Sequence, residues 1–309
     1  MLEVLEWYYF IVGLWTAIKI GLEVYYACKS LLSRPSFLSY GSNSWVLVTG
    51  ASDGIGFGFT EYLACQGFNI ILIGRNPNKT HNAARYLEEK FPIKTKCIIK
   101  DFSLCTENPI EFFTDIKEQT RDLDISILIN NVGYGHAFDI FASLKEDDNL
   151  STNAINIWSI TFLTKLYLPD MISRKQKSAI INVSSITSQS PLVKSSLYAA
   201  SKSFGDLFSL ITTQEAKYLA NNSTNIDVLS LRPGFVDTPL TQKFTRKPLL
   251  VSVNECISYA WSSIGRVDYT SGHWKHQFLY LAARVNETFL SIVMGNTELK
   301  WPTLSRKKY

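Results

Sequence analysis

Six short apolar runs, at residues 45–48, 69–73, 96–99, 125–129, 179–183 and 226–231, are separated by longer stretches with helical spacing at 57–66, 82–91, 155–168 and 197–220. The runs are apolar throughout rather than alternating, so both faces of each strand must be covered. Strands buried on both faces and joined by helices predict a parallel sheet wrapped by helices, an α/β doubly wound architecture. No repeat at a fixed period competes with this reading. Composition agrees, since 46% hydrophobic and 19% charged residues over 309 positions leave enough apolar side chains for a sizeable core.

Charge and cysteine usage narrow the function classes. Lys and Arg number 31 against 27 Asp and Glu, a net charge of +4, with no basic block before the last few residues. That balance excludes nucleic acid as an expected partner. The five cysteines (Cys28, Cys65, Cys97, Cys105, Cys256) are scattered without a CxxC pair, which points to a reducing compartment and not to a disulfide framework or a zinc site. No HExxH or His/Cys cluster is present, so no metal is expected, and His81, His136, His273 and His276 read as surface or structural residues, although His136, just after residues 130–133 (NNVG), could border a pocket.

The first segment differs from the rest. Residues 7–18 (WYYFIVGLWTAI) carry no charge, and apolar character resumes after Lys19. A spanning helix needs ~20 apolar residues, so residues 5–28 reach that length if Lys19 and Glu23, four apart and able to pair, are tolerated. The expectation is a membrane-anchor helix over residues 1–33, the alternative an amphipathic helix lying in the interface. Glu3 and Glu6 before the segment and Lys29 and Arg34 after it argue against a cleaved signal peptide and place the bulk of the chain in the cytosol. Residues 34–44 (RPSFLSYGSNS) read as a polar linker. A catalytic domain is expected over 45–275 and an amphipathic extension over 276–309.

Directly after the first strand comes Thr49-Gly-Ala-Ser-Asp-Gly-Ile-Gly56, leading into an apolar helix. Glycines at 50, 54 and 56 permit a tight turn and let main-chain N–H groups approach a pyrophosphate at the helix N-terminus. The second strand ends in Ile73-Gly74-Arg75, where a carboxylate would select NAD. A guanidinium there favours a 2′-phosphate, hence NADPH, unless Arg75 is a solvated loop charge. On the long helix, Tyr198 and Lys202 are four apart and share one face. A free phenol titrates near ~10, and an adjacent ammonium lowers that value, which suits acid–base work. Asn182-Val-Ser-Ser185 ends a buried strand and offers a hydroxyl that could polarise a carbonyl.

TGASDGIG, the Asn130-Asn-Val-Gly133 segment, Tyr198-Ala-Ala-Ser-Lys202 and Arg232-Pro-Gly-Phe-Val-Asp-Thr238 together resemble the short-chain dehydrogenase/reductase family, over roughly residues 44–266. The resemblance implies a Rossmann-like fold, a nicotinamide cofactor and residue roles. Gly50, Ser52, Asp53, Gly54, Ile55, Gly56, Arg75, Asp101, Asn130, Pro233, Val236 and Thr238 would contact or support the cofactor. Asp101 matches the residue that meets the adenine, and Thr238 the one that contacts the nicotinamide carboxamide. Tyr198 would be the proton donor and Ser185 the hydrogen-bond donor to the developing alkoxide. Lys202 would hold the nicotinamide ribose and tune Tyr198, and Asn156 would hold a water in the proton relay.

Three features resemble the branch of membrane-bound 17β-type hydroxysteroid dehydrogenases and very-long-chain 3-oxoacyl-CoA reductases of the endoplasmic reticulum. They are the hydrophobic N-terminus, valine in NNVG, and the apolar C-terminal extension with its Arg306-Lys-Lys-Tyr309 terminus. The implied reaction is NADPH-dependent reduction of a long lipid ketone at the endoplasmic reticulum membrane, with a homodimer possible. Lys243, Arg246 and Lys247 beside apolar residues favour a 3-oxoacyl-CoA, whose phosphates a steroid lacks, unless these charges face headgroups or solvent. A non-catalytic NADP-binding scaffold is disfavoured because Tyr198 and Lys202 are both present. The triplets at Asn149, Asn222 and Asn286 would fit a glycosylated lumenal protein, but Asn182 fits the same pattern inside the active-site strand, so they read as coincidence.

Overall fold

The computed structural model describes residues 2–31, 36–135, 139–189, 192, 194–219, 225–242 and 249–285. Strands β1 (Trp45–Thr49), β2 (Asn69–Gly74), β3 (Thr95–Ile99), β4 (Ile125–Asn130), β5 (Ser178–Val183), β6 (Ile226–Leu231) and β7 (Tyr269–Thr270) form one sheet in the order β3-β2-β1-β4-β5-β6-β7. Every pairing is parallel. The chain runs outward from β1 to β3, then returns to the other side of β1 with β4. That reversal opens a crevice at the carboxyl ends of β1 and β4, where ligands bind in such sheets.

Alternation of side chains divides the core into two layers. Val46, Val48, Ile70, Leu72, Ile127 and Ile129 face one side, against Phe59 and Leu63 of α2 (Gly54–Ala64) and Trp261 of α9 (Val253–Ser263). Leu47, Ile71, Leu128 and Ile180 face the other, against Phe113 of α4 (Pro109–Gln119) and Leu163 and Tyr167 of α6 (Ser159–Ser173). The seamless apolar runs follow from this two-sided cover. Gly58 lets α2 and α9 touch, since a Cβ there would lie 2.3 Å from Val253 Cγ1. Local chemistry sets the helix starts. Asn76 caps α3 (Pro77–Lys90), Asn108 caps α4, and Ser252 with Glu255 forms a reciprocal capping box on α9.

The structure departs from the sequence-based expectations in three places. The short β7 was not expected, because two residues are too few to show a pattern. Part of the expected linker is docked: Phe37–Tyr40 is a 3₁₀ turn whose Phe37 ring stacks on Trp261 at 4.7 Å and whose Tyr40 is buried, with its hydroxyl donating to Asp227 at 2.7 Å. At the N-terminus a helix forms, α1 (Leu2–Leu31), but among the described residues no helix is long and apolar enough to cross a membrane. The expected spanning segment is therefore not found. The rings of Trp7, Tyr8, Tyr9, Trp15 and Tyr25 carry polar tips, which dilute its apolar character.

His136, the Lys243, Arg246 and Lys247 cluster, Asn222, and residues 286–309 with their lysine-rich terminus lie outside the described residues.

Candidate active site

The crevice at the carboxyl ends of the strands holds most of the residues singled out in the sequence. Its floor begins at the glycine loop. Gly50 and Gly54 have φ of 63° and 54°, a left-handed backbone that side chains rarely adopt. Gly54 opens α2, its N–H capped by Asp53, and this helix N-terminus borders the crevice at Gly54 and Ile55. Ser52, Asp53 and Ile55 line the same wall. Gly56 does not line it; a Cβ there would lie 2.2 Å from the Gly50 carbonyl, so this glycine permits the turn to close.

At the adenosine end, Arg75 projects from the end of β2 into solvent and, among the described residues, makes no ion pair. Asp101 lines the wall after β3, its Oδ1 accepting from Ser103 N and Oγ. Asp53 accepts from Gly54 N at 2.8 Å and pairs with Lys79 of α3 at 3.1 Å. Asn130 is a correction: it is buried at the end of β4 and donates to Asn182 at 2.8 Å, inside the sheet and away from the crevice. Its neighbour Asn131 lines the wall, and its Nδ2 donates to Thr49 O at 2.9 Å and Gly50 O at 3.3 Å. Thr49 Oγ1 in turn accepts from the main-chain N–H groups of Asn131 and Val132. The NNVG segment thus clamps the glycine loop, and the doubled asparagine hid which of the two does so.

At the far end, α7 (Ser196–Leu219) brings Tyr198 and Lys202 against Ser185, just beyond β5. Lys202 is buried and its Nζ donates to Val183 O at 2.8 Å, 5.8 Å from the centroid of the Tyr198 ring. Burial without a counter-ion pulls the Lys202 ammonium down to about 8. Burial pushes the Tyr198 phenol up, opposed by a hydrogen bond with Ser185. The expected lowering of Tyr198 by its lysine does not appear in this geometry, because the ammonium is turned to Val183 and is itself poorly solvated. Gly133 leaves room there, since a Cβ would sit 3.3 Å from Lys202 Nζ.

Asn156 sits in a π-helical turn, Asn153–Trp158, and is buried. Its Oδ1 accepts from Tyr134 N at 2.7 Å, and its Nδ2 donates to Tyr134 O and Ser201 Oγ, each at 2.9 Å. The side chain thus fixes the Tyr134 main chain to α7. Tyr134 itself lines the crevice and donates to Asp148 of α5 (Glu146–Thr152) at 2.5 Å.

Pro233, Val236 and Thr238 close the remaining side, with Thr238 Cγ2 3.2 Å from where a Gly54 Cβ would stand. Behind them, Arg232 and Asp206 form a buried ion pair, with Gln189 and Ser230 donating to the same carboxylate and Arg232 lying over the Tyr269 ring at 3.9 Å. His276 of α10 (Trp274–Val285) packs its ring on Gly234, and burial pulls it down to about 4, so it is a neutral structural group. His273 is buried too, and His81 is exposed. No group of His, Cys, Asp and Glu able to hold a metal occurs among the described residues.

The glycine loop at a helix N-terminus, the bare α-carbon of Gly133 beside Lys202, and the unpaired Arg75 fit a dinucleotide lying along the crevice. The comparisons with known proteins agree. The family model described as short chain dehydrogenase matches residues 44–249. The very-long-chain 3-oxoacyl-CoA reductase-B of Danio rerio is 32% identical over 272 residues, 86% of this chain and 82% of its own. The inactive hydroxysteroid dehydrogenase-like protein 1 of Homo sapiens is 31% identical over 299 residues, 93% of this chain and 88% of its own. A structure solved in a study of 7beta-hydroxysteroid dehydrogenase stereoselectivity superposes with a TM-score of 0.73 at 20% identity, covering 83% of this chain and 98% of that one. Fold, motif order and relatives converge: the chain belongs to the short-chain dehydrogenase family of oxidoreductases.

Proposed function

We propose that the protein is an NADPH-dependent reductase of a long lipid ketone, a very-long-chain 3-oxoacyl-CoA. The convergence of Tyr198, Lys202 and Ser185 at one end of a crevice whose other end presents Arg75 carries this reading. A nicotinamide cofactor supplies the hydride; the chain supplies the rest. Tyr198, held protonated by burial, gives the proton to the carbonyl oxygen, and Ser185 donates a hydrogen bond to the charge developing there. Lys202 orients the cofactor ribose beside Gly133. Gly50, Ser52, Gly54 and Ile55 hold the pyrophosphate side, Arg75 the 2′-phosphate, Asp101 the adenine, and Thr238 the carboxamide. The presence of Tyr198, Ser185 and Lys202 in contact range argues against a non-catalytic scaffold, the role that one relative's name implies for that relative.

A 17β-type hydroxysteroid activity is the second reading, favoured by relatives carrying hydroxysteroid dehydrogenase names. NADPH consumption by purified full-length protein, with a 3-oxoacyl-CoA and a 17-ketosteroid side by side, separates the two. Tyr198→Phe serves as the control and should reduce turnover by the ~10²–10⁴ of lost general acid catalysis, with cofactor binding kept.

The same reading puts the protein at a membrane of the endoplasmic reticulum, with the catalytic domain in the cytosol; two surface features bear on membrane attachment and self-association. On α1, Trp7, Phe10, Ile11, Leu14, Trp15 and Ile18 form an exposed apolar face, a pattern suited to apolar surroundings. On α7, Phe204, Leu207 and Ile211 form an exposed apolar stripe beyond the catalytic pair, suited to a second copy in a homodimer.

A further inference from the structure

We infer that Thr187 is a positioning residue, which fixes the direction in which the Ser185 hydroxyl gives its proton. The inference rests on the reading of Ser185 as the hydrogen-bond donor to the substrate oxygen. A serine hydroxyl has one proton and two lone pairs. At Ser185 Oγ, Thr187 donates twice, from its main-chain N–H at 3.2 Å and from its hydroxyl at 2.9 Å. Both side chains are buried, at 8% and 5% exposure, so water competes poorly for those lone pairs. With both occupied, the proton is the only hydrogen-bonding capacity Ser185 has left, and it must point away from Thr187.

Tyr198 shares the crevice wall with Ser185 and is hydrogen-bonded with it. The hydrogen bond with Ser185 opposes the upward push of burial on the phenol, as a Ser185 hydroxyl turned toward the phenolate would. Without substrate that proton is offered to the phenol oxygen, and a substrate carbonyl oxygen bound between Ser185 and Tyr198 takes it over; the Thr187 hydroxyl polarises the bond in either case. Among the described residues, the charged group beside the Tyr198 ring is Lys202, 5.8 Å from its centroid. Thr187 is not free to turn aside. It sits in the 3₁₀ turn Ile186–Gln189, which is bolted to α7 by Ser203 Oγ donating to Ser188 O at 2.7 Å and by Gln189 donating to Asp206 at 2.6 Å. On the other side Ile186 N donates to Pro233 O at 3.0 Å. The main-chain bond alone is a common turn-capping arrangement. The added hydroxyl is what removes the second lone pair and so the rotational choice.

Thr187→Val tests this, because it keeps shape and main-chain donor and deletes only the hydroxyl. With NADPH and the 3-oxoacyl-CoA, turnover is expected to fall about tenfold while KM stays within about twofold, the signature of a lost transition-state interaction. The basic limb of the pH–rate profile, set by Tyr198, should move to higher pH, since a freely rotating Ser185 stabilises the phenolate less. Thr187→Ser should restore both rate and profile. Wild-type rate and profile in Thr187→Val, alongside an inactive Ser185→Ala, would overturn the inference and leave the site intact. A lowered melting temperature with an unmoved profile would assign Thr187 to stability and also overturn it. A fully active Ser185→Ala would overturn the reading of the site itself.

Discussion

Lys202 Nζ donates to the Val183 carbonyl at 2.8 Å, tying the buried side of α7 to the last residue of β5. The ammonium thus reaches the crevice from a site with one neutral oxygen and little water, which pulls its pKa from 10.5 to about 8. Burial acts in the opposite direction on Tyr198. Both shifts favour neutral forms, so at neutral pH the phenol keeps the proton that a ketone reduction consumes.

This has a measurable cost in stability. Between pH about 8 and 10.5 the unfolded chain holds a proton on this lysine that the folded chain lacks, so its contribution to stability rises with pH across that window. Below it the penalty is constant, and above it the penalty is gone. In urea denaturation, wild type should gain roughly 3 kcal/mol on Lys202→Met as pH moves through the window, order-of-magnitude. Following the change with pH cancels any fixed effect of leaving Val183 O unpaired. A difference that stays flat would show that the lysine titrates normally.

Cofactor choice turns on the adenosine end. Arg75→Ala removes the unpaired guanidinium and should weaken NADPH about 10–100-fold, the range of a lost charge-assisted bond, with NADH changed much less. Asp53 faces the same crevice, and Lys79 neutralises it at 3.1 Å. Lys79→Ala should therefore also weaken NADPH in preference to NADH, but only a few-fold, because the pair is solvent-exposed. Titration of intrinsic fluorescence with each cofactor reads both. Equal losses for the two cofactors would remove Arg75 from phosphate recognition.

Much of this architecture is legible in the chain. The runs at 45–48 through 226–231 became β1 to β6 because a strand covered on both faces needs no polar residue, and that pattern survives without context. Tyr198, Lys202 and Ser185 met because helix spacing and strand ends are local properties. What escaped depended on partners distant in sequence. Asn130 and Asn131 are chemically identical, and only the sheet decides that one faces Asn182 and the other the glycine loop. Nothing in the chain around Asn156 announced Tyr134 and Ser201 as its partners. Polar Arg34–Ser44 gave no sign that Phe37 and Tyr40 would find Trp261 and Asp227.

That docking carries its own prediction. Tyr40 donates to Asp227 in a buried site where Lys177 also reaches the same oxygen at 3.3 Å. Tyr40→Phe leaves the ring but deprives the carboxylate of one donor, at a cost of about 1–3 kcal/mol. The melting temperature should fall by several degrees, with NADPH affinity unchanged, since the site lies away from the crevice. Unchanged stability would mean that the 3₁₀ turn is not fastened by this bond.

The last prediction concerns α1. Among its described side chains, exposed rings and aliphatic groups predominate from Trp7 to Tyr25. Burying a single such side chain is worth roughly 1.5–3 kcal/mol, so several together hold a domain firmly at a bilayer. Full-length protein should sediment with phosphatidylcholine vesicles, and a chain beginning at Ser36 should stay in the supernatant with its fold intact, as judged by NADPH binding. The polar tips of Trp7, Tyr8, Tyr9 and Trp15 prefer the headgroup region to the hydrocarbon. Alkaline carbonate should accordingly release the full-length protein, whereas retention in the pellet would show a helix that crosses. Full-length protein remaining in the supernatant at neutral pH would mean that α1 is covered by something other than lipid.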